Sequence, residues 1–303
     1  MTTLMQQEIF SEPSMMKRTI AACKPILPAI NKAFKEKGIT NIVTMARGTS
    51  DNAATVFSFV CPMVTGIKVG KYHPSLTTVY DCDVDMKNTC MVIISQSGMS
   101  KDTVAVMEKA IKNGAMTIAV TNNAQSPVAK NCDFHLFMDV EEEKSVAATK
   151  TYIGELFALY MLSDALKGDF SASYDSLADR IQEILALNGK IADVASAIHK
   201  RNNFIVLSRG TMLGTGDECA LKLTECCYLF NRSYSSANFM HGPLSLLDEN
   251  ANVIMLAPKG NFDDEFISMA KRINGLGATL TAFSNIPQVL ENAKNAVAMP
   301  DAD

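Results

Sequence analysis

The strongest constraint on the fold of this chain is an internal repeat. Residues 41–49 (NIVTMARGT) recur 162 positions later as residues 203–211 (NFIVLSRGT). Three further apolar segments recur in the same order: residues 91–98 match 253–260, 114–123 match 277–285, and 132–139 match 294–301. Because four matching segments in one order are hard to obtain by chance, we predict that the chain is a tandem duplication.

The repeated segments predict the fold class. Each is a short run rich in Val, Ile and Leu without polar alternation, which is typical of strands buried on both faces of a parallel sheet. Helix-like stretches separate them; residues 100–114, for example, carry apolar side chains at 104, 107 and 111 and end in Gly. The pattern predicts an α/β fold with two tandem doubly wound parallel sheets, with further helices at residues 15–37 and 172–200.

The repeat also predicts two domains, at residues 1–170 and 171–303, connected through a polar stretch at 164–180. The first half continues through a loop and a long apolar helix at residues 141–166, whereas the second half ends where this segment should begin. Either the halves diverged or a C-terminal segment is missing. We favour the second interpretation and expect the second domain to lack its C-terminal helix and tail, because the second sheet would otherwise lose helical cover.

Composition excludes several function classes. The net charge is −4 and no dense run of Lys or Arg occurs, so we expect no nucleic-acid partner. No stretch approaches the roughly 18 apolar residues of a membrane span, and the N-terminus does not resemble a signal peptide. The eight cysteines show neither CxxC pairs nor metal-ligand spacing. We therefore expect a cytoplasmic protein with no membrane partner, metal or cofactor.

The segment ISQSGMSKDT (residues 94–103) is the clearest candidate for ligand binding. A predicted buried strand leads into Ser95, Gln96, Ser97 and Ser100, after which a helix begins. Hydroxyl groups, an amide and the exposed N–H groups of a helix N-terminus together suit a dianion such as a phosphate. An ordinary helix capped by serine is the alternative. The density of Ser and Gln at a strand end favours anion binding.

The segment ARGTSDNA (residues 46–53) has the same order of strand, glycine turn and helix start. Thr49 and Ser50 offer further hydroxyl donors there. Taken alone, this pattern is explained nearly as well by a turn with capping Ser and Asp residues.

The predicted apolar helix DECALKLTECCYLF (residues 217–230) carries three charged residues on one face. Glu218, Lys222 and Glu225 follow the i, i+4, i+7 spacing. A solvated salt-bridge ladder is the ordinary explanation for such a pattern. The apolar neighbours favour a site in which burial tunes a glutamate for proton transfer.

His241 is one of four histidines and precedes Gly-Pro in NFMHGPLSLLD (residues 238–248). A loop histidine is often merely exposed or structural. Its place before a restrained turn keeps a catalytic role open.

The motifs SQSGMSKDT, SVAATK, ALKLTE and MHGPL together resemble the SIS (sugar isomerase) domain family, over essentially the whole chain. The similarity is to the isomerase half of glucosamine-6-phosphate synthase and to stand-alone tandem-SIS proteins. These stand-alone proteins include glucosamine-6-phosphate deaminases and fructosamine-phosphate deglycases. The resemblance implies a sugar-phosphate enzyme without a cofactor.

The resemblance also implies roles for individual residues. The residues matching the phosphate site are Ser50, Ser95, Gln96, Ser97 and Ser100. The residues matching sugar contacts are Thr49, Val146 and Ala148, the last of which is Ser in the synthase.

Catalytic roles are implied for four residues of the second half. Glu225 matches the carboxylate that moves a proton between C1 and C2, and Lys222 and Glu218 match charged residues lining that site. His241 matches the ring-opening histidine, which in this family reaches the site from the neighbouring subunit, so a homodimer is implied.

Three departures from the family pattern bear on the activity. No glutamine-hydrolysing domain precedes the repeat, so we do not expect glutamine-dependent synthesis by this chain alone. Asn238 stands where the family often has Glu, which points to a different substrate. The family's C-terminal tail, with a lysine able to form a Schiff base, is also absent from this sequence, which puts imine chemistry in doubt.

The leading hypothesis is an isomerising deaminase that converts glucosamine 6-phosphate to fructose 6-phosphate and ammonia. A fructosamine-6-phosphate deglycase and an aldose–ketose phosphosugar isomerase remain open, because they share the mechanism and differ in the group on C1 or C2. A non-catalytic sugar-phosphate sensor is a third possibility. The retained Glu225, Lys222 and His241 argue against it, since a pure binding protein needs only the phosphate loop.

Overall fold

The structure is a computed structural model that describes residues 2–301. The chain divides between Asp179 and Arg180 into two compact units, each built around its own parallel sheet. The boundary lies at the end of the polar stretch that the sequence suggested as a connection.

The first unit alternates strands and helices after a helical N-terminal segment. Its elements are α1 (Leu4–Cys23), α2 (Leu27–Glu36), β1 (Asn41–Met45), α3 (Thr49–Thr65), β2 (Val69–Lys71), α4 (Ser75–Thr78), β3 (Thr89–Ile94), α5 (Lys101–Lys112), β4 (Met116–Thr121), α6 (Pro127–Asn131), β5 (Phe134–Phe137) and α7 (Lys150–Lys167).

The first sheet has five parallel strands in the order β2-β1-β3-β4-β5. Every residue of β3 and β4 is buried, which explains their uninterrupted apolar sequences. The winding reverses at β1, since the chain first moves outward to β2 and then returns past β1 to β3. In sheets of this kind a crevice opens at the carboxyl ends of the two strands that flank the reversal, here β1 and β3.

Helices cover both faces of the first sheet. On one face, Val106 and Met107 of α5 and Val128 of α6 pack with Met91 and Ile93 of β3. Elsewhere α3 packs against α7, and α7 also contacts α1 and α2. Most residues of α7 are buried on all sides, so the long apolar helix predicted at the end of the first half is confirmed.

The second unit repeats this arrangement. Its elements, with α8 beginning just before the boundary, are α8 (Asp175–Leu185), α9 (Asn188–Ile198), β6 (Ile205–Ser208), α10 (Leu213–Cys227), β7 (Arg232–Ser235), α11 (Ser236–Met240), β8 (Asn252–Ala257), α12 (Asp263–Gly275), β9 (Thr279–Ser284), α13 (Pro287–Glu291) and β10 (Asn295–Ala298). The strand order β7-β6-β8-β9-β10 is that of the first sheet, element for element. The α/β fold with two parallel five-stranded sheets is thus established.

The structure differs from the sequence prediction in several places; residues 172–200, for example, form two helices, α8 and α9, rather than one. Each sheet has a fifth strand, β2 or β7, that the repeat did not reveal; both are short, partly exposed edge strands without an apolar run. The single helix predicted at residues 15–37 is also wrong in detail. Helix α1 begins at Leu4, and a 3-10 turn containing Pro25 separates it from α2.

Among residues 2–301, no helix is both long enough and apolar enough to cross a membrane.

Gly154 allows α7 to pack closely against the segment that follows β5. A Cβ at this position would lie 2.8 Å from Cγ1 of Val140. We expect Gly154→Ala to lower the free energy of unfolding by about 1–3 kcal/mol through overpacking, although alanine is the better helix former. Gly189→Ala in α9 is the control, because nothing lies within 4 Å of a Cβ there.

Urea unfolding followed by circular dichroism measures both variants. The control is expected to leave stability unchanged or raise it by up to about 1 kcal/mol. A Gly154→Ala variant as stable as the parent protein would show that the contact with Val140 relaxes without cost.

Candidate functional site

Two loops of the first unit adjoin the crevice between β1 and β3. These strands pair up to Met45 and Ile93, and each then leads into a loop and a helix. The Arg47 guanidinium in the first loop forms an ion pair with Asp102, which lies in the first turn of α5. This bridge ties the loop after β1 to the helix that follows the loop after β3.

Residues 95–100, the serine loop, connect β3 to α5. Ser95 Oγ accepts a hydrogen bond from the Gly98 N–H (3.2 Å), and Ser97 Oγ accepts one from the Met99 N–H (3.3 Å). Both serine oxygens act as acceptors in these bonds, so neither bond uses the hydroxyl hydrogen. The two hydroxyl groups can therefore donate to an anion while they also stabilise the loop.

Ser100 and Gln96 complete the serine loop. Ser100 is the N-cap of α5, where its Oγ accepts from the Thr103 N–H at 3.2 Å. Gln96 is half-buried, and its backbone carbonyl accepts from the Asn122 N–H at 2.9 Å. The helix N-terminus lies next to the hydroxyl groups, as the sequence predicted.

Gly98 is required for the conformation of the serine loop. Its φ of +59° lies in the left-handed region, and a Cβ there would come within 2.5 Å of Ser126 Oγ. Ser126 in turn caps α6 by accepting from the Ala129 N–H. The loop can therefore lie this close to α6 only with glycine at position 98.

Thr49 and Ser50 are the first two residues of α3, directly after Gly48. Thr49 is half-buried, whereas Ser50 is buried. Ser50 Oγ donates a hydrogen bond of 2.6 Å to Oε1 of Glu155, a fully buried carboxylate in α7. The sequence did not identify Glu155, although an acid inside the apolar run GELFALYML is a signal that could have done so.

Val146 and Ala148 lie in the loop of residues 141–149, which precedes α7. Val146 is fully exposed and Ala148 is half-buried. Glu8 of α1 holds this loop from one side, because its carboxylate accepts from the backbone N–H groups of Lys144 (2.5 Å) and Ser145 (3.2 Å). Burial opposes ionisation of Glu8, but the bonds from Ser145 and the backbone outweigh it and lower the Glu8 pKa.

Glu143 fixes the other end of the same loop. Its carboxylate accepts from the backbone N–H groups of Thr149 (2.6 Å), Lys150 (3.1 Å) and Thr151 (3.3 Å), so it satisfies donors at the start of α7. Sequence reasoning missed Glu8 and Glu143. The first is distant in sequence, and the second is hidden in the charged run EEEK.

Glu218, Lys222 and Glu225 form an ion triad on one face of α10. Lys222 Nζ lies 3.2 Å from Glu218 Oε1 and 2.6 Å from Glu225 Oε2. Glu218 is buried, whereas Glu225, near the end of the helix, is exposed. Partial burial disfavours the charged form of Lys222, but its bonds to the two carboxylates outweigh this effect and raise the Lys222 pKa.

His241 lies directly after α11, and its backbone N–H donates to the Asn238 carbonyl at 3.1 Å. The residue is exposed, so its ring is accessible to a ligand or a partner. The structure thus places the predicted residues of the second half in α10 and in the loop after α11. The other predicted residues all lie in the first unit.

The second unit has its own crevice at the reversal between β6 and β8. Arg209 Nε lies 3.2 Å from Glu265 Oε2, which repeats the bridge between Arg47 and Asp102. A cavity of about 660 Å³ opens beside the ends of β8 and β9. Helix α12, however, begins with three acidic residues instead of following a serine loop, so its first turn is less suited to an anion.

Within residues 2–301, no group of three or more His, Cys, Asp and Glu side chains is placed to hold a metal ion.

Comparison with known protein families finds a match for part of the chain. Residues 37–164 match the SIS domain family. The chain contains a SIS domain. This domain lies in the first unit and includes β1, β3 and the serine loop. The match identifies one SIS domain rather than the two predicted from the repeat, and the tandem arrangement rests on the shared strand order alone.

The chain is also similar to longer proteins. It is 29% identical over 311 residues to glutamine–fructose-6-phosphate aminotransferase [isomerizing] of Thermococcus kodakarensis, covering 99% of this chain and 51% of that protein. It is 30% identical over 292 residues to the protein of the same name from Clostridium tetani, covering 90% and 48%. The chain therefore spans about half the length of the curated relatives that it matches, and it is related to their isomerase half.

Solved structures share the fold over nearly the whole chain. A structure from Silicibacter pomeroyi DSS-3, assigned as a phosphosugar isomerase, has a TM-score of 0.88 and 29% identity, covering 98% of this chain and 89% of that one. The C-terminal domain of glucosamine-fructose-6-phosphate aminotransferase from Francisella tularensis has a TM-score of 0.86 and 24% identity, covering 100% and 90%. Together these relationships support an enzyme related to phosphosugar isomerases, with a SIS domain at residues 37–164.

Glu12 of α1 makes the stability of the SIS-containing unit dependent on pH. Burial, with a contribution from nearby Glu143, raises the Glu12 pKa from its ordinary 4.5 to about 8. The contribution of Glu12 to the free energy of unfolding is therefore fully present below pH 4.5 and is lost as the pH rises through 8. We expect Glu12→Gln to be more stable than the parent protein above this range, by on the order of 2–4 kcal/mol.

Thermal unfolding across this pH range tests the prediction. The two proteins are expected to converge in acid and to separate progressively as the pH rises. Glu108→Gln, which changes an exposed glutamate of α5, serves as the control and is expected to show no such separation. Parallel pH profiles for Glu12→Gln and the parent would contradict the assignment.

Proposed function

We propose that the protein is an isomerising deaminase that converts glucosamine 6-phosphate and water to fructose 6-phosphate and ammonia. The observation that carries this proposal is the ion triad of Glu218, Lys222 and Glu225 in a chain that also has a serine loop suited to phosphate. A protein that only binds sugar phosphate has no need of the triad. The similarity to the isomerase half of glutamine–fructose-6-phosphate aminotransferases supports the choice of sugar.

The serine loop would bind the phosphate group. Ser95 and Ser97 can each donate a hydroxyl hydrogen while their oxygens accept from the backbone, and Ser100 caps the adjoining helix. Gln96 adds an amide, and the N-terminus of α5 favours negative charge. Thr49, Val146 and Ala148 would contact the sugar. Binding at the remote phosphate would position the reacting carbons.

Glu225 would act as the base. It accepts the C2 proton of the open-chain amino aldose and returns a proton to C1, while an N–H proton of the amino group is transferred to O1, so that the aldehyde becomes an alcohol and C2 becomes an imine. Water then adds to C2, and ammonia leaves to give the ketose. Lys222, bonded to Glu225 at 2.6 Å, would orient this carboxylate, while Glu218 balances the charge of Lys222.

His241 would open the sugar ring by moving a proton between the C1 hydroxyl and the ring oxygen. We further propose that the active protein is a homodimer in which His241 of one subunit serves the site of the other. The exposure of His241 supports such a contribution. On this proposal the second unit is a second SIS domain, kept for its catalytic helix α10, and the enzyme acts in the cytoplasm.

Ammonia release by the full chain tests the activity. Glucosamine 6-phosphate is expected to release ammonia in step with fructose 6-phosphate, while fructoselysine 6-phosphate and N-acetylglucosamine 6-phosphate serve as comparison substrates. Release of lysine from fructoselysine 6-phosphate would replace the deaminase with a deglycase. Ketose–aldose exchange without ammonia would indicate an isomerase, and binding without turnover would indicate a sensor.

Glu225→Gln tests the proton-transfer role. We expect kcat to fall by about 100-fold or more with little change in sugar-phosphate affinity, because general-base catalysis is typically worth 100- to 10,000-fold. Glu291→Gln, at an exposed position at the end of α13, is the matched control and should keep full activity. Unchanged turnover in Glu225→Gln would remove this residue from the mechanism.

A further inference from the structure

Glu155 and Ser50 form a buried acid–hydroxyl pair at the crevice of the first unit. Glu155 has no solvent exposure and Ser50 is 7% exposed. The Ser50 hydroxyl donates to Glu155 Oε1 at 2.6 Å. Ser50 is the second residue of α3, at the end of the loop that leaves β1.

This bond gives Ser50 a different role from the serines of the serine loop. A serine hydroxyl has one hydrogen to donate and two lone pairs that accept. In Ser95 and Ser97 the oxygen accepts from the backbone, so the hydrogen is available to a ligand. In Ser50 the hydrogen is held by Glu155, so the oxygen keeps only lone pairs for any further hydrogen bond.

We propose that Glu155 is a positioning residue that fixes Ser50 as a hydrogen-bond acceptor and so makes the site select ligands with a hydroxyl group near the anion. The inference rests on the proposed function, since it requires that the crevice bind a phosphorylated ligand. An anion without such a hydroxyl would face the lone pairs of Ser50 and gain no hydrogen bond there. The hydroxyl group belongs either to the phosphoryl group or to the sugar.

Four probes separate these sources when titrated calorimetrically into the full chain under mildly alkaline conditions. Hydrogen phosphate and sulfate have similar shape and charge, but only hydrogen phosphate has an O–H group. Glucosamine 6-phosphate and methyl phosphate differ in the sugar hydroxyls. We expect the parent protein to prefer the hydroxyl-bearing member of at least one pair by roughly five- to tenfold, the usual worth of one such hydrogen bond.

Glu155→Met tests whether Glu155 sets this preference. The substitution removes the acceptor at nearly constant volume and releases the Ser50 hydrogen, so binding of sulfate or methyl phosphate is expected to strengthen and the preference to fall towards unity. Glu155→Gln retains an acceptor oxygen without the charge and is expected to keep much of the preference. Comparing the two variants shows whether the preference depends on the carboxyl group itself or on the direction of the Ser50 hydroxyl.

Ser50→Ala provides a second route if Glu155→Met does not fold. It removes the acceptor itself and is expected to abolish the same preference, whereas the control Ser58→Ala in α3, whose hydroxyl donates to the Thr55 carbonyl, should keep it. Equal affinities within both pairs in the parent, or preferences unchanged in Ser50→Ala, would overturn the role of Ser50 while leaving phosphate binding intact. Failure of all four probes to bind would overturn the proposed function itself.

Discussion

The reversal of winding at β1 is the constraint on which the candidate site of the first unit depends. Because β1 lies between β2 and β3, the loops that leave β1 and β3 diverge to opposite faces and leave a crevice between them. Strands buried on both faces hold the loop ends rigidly, and the ion pair between Arg47 and Asp102 ties the two sides together. Within this unit, the position of the predicted anion-binding groups follows from strand order before any side chain is considered.

The two units show how one strand order can carry different chemistry. Both sheets have the same strand order, and both pair an arginine after the first strand of the repeat with an acid in the first turn of the helix after the third. The loops differ. The first unit follows β3 with serines, whereas the second unit begins α12 with acidic residues and carries its charged triad on α10 instead. A shared fold therefore does not imply a shared ligand.

The sequence predicted best what depends on local pattern. Eight of the strands coincide with the repeated apolar runs, and the central strands β3 and β4 show the reason most clearly, because burial on both faces requires continuous apolar sequence. The edge strands β2 and β7 carry polar residues such as Lys71 and Arg232 and leave no such pattern. The spacing of Glu218, Lys222 and Glu225 predicted the triad because one helix fixes its geometry. Glu8 and Glu155 escaped prediction because their partners are more than a hundred residues away in sequence.

Glu8, Glu143 and Glu155 of the first unit share one physical task. An ionised carboxylate can only accept hydrogen bonds, so wherever it is buried it fixes the direction of the donors around it. Glu8 and Glu143 direct backbone N–H groups and thereby shape the loop that carries Val146, while Glu155 directs a hydroxyl group. The desolvation of these acids opposes folding unless such donors are present. The direction of these backbone N–H groups and of the Ser50 hydroxyl thus follows from carboxyl groups that lie elsewhere in the first unit.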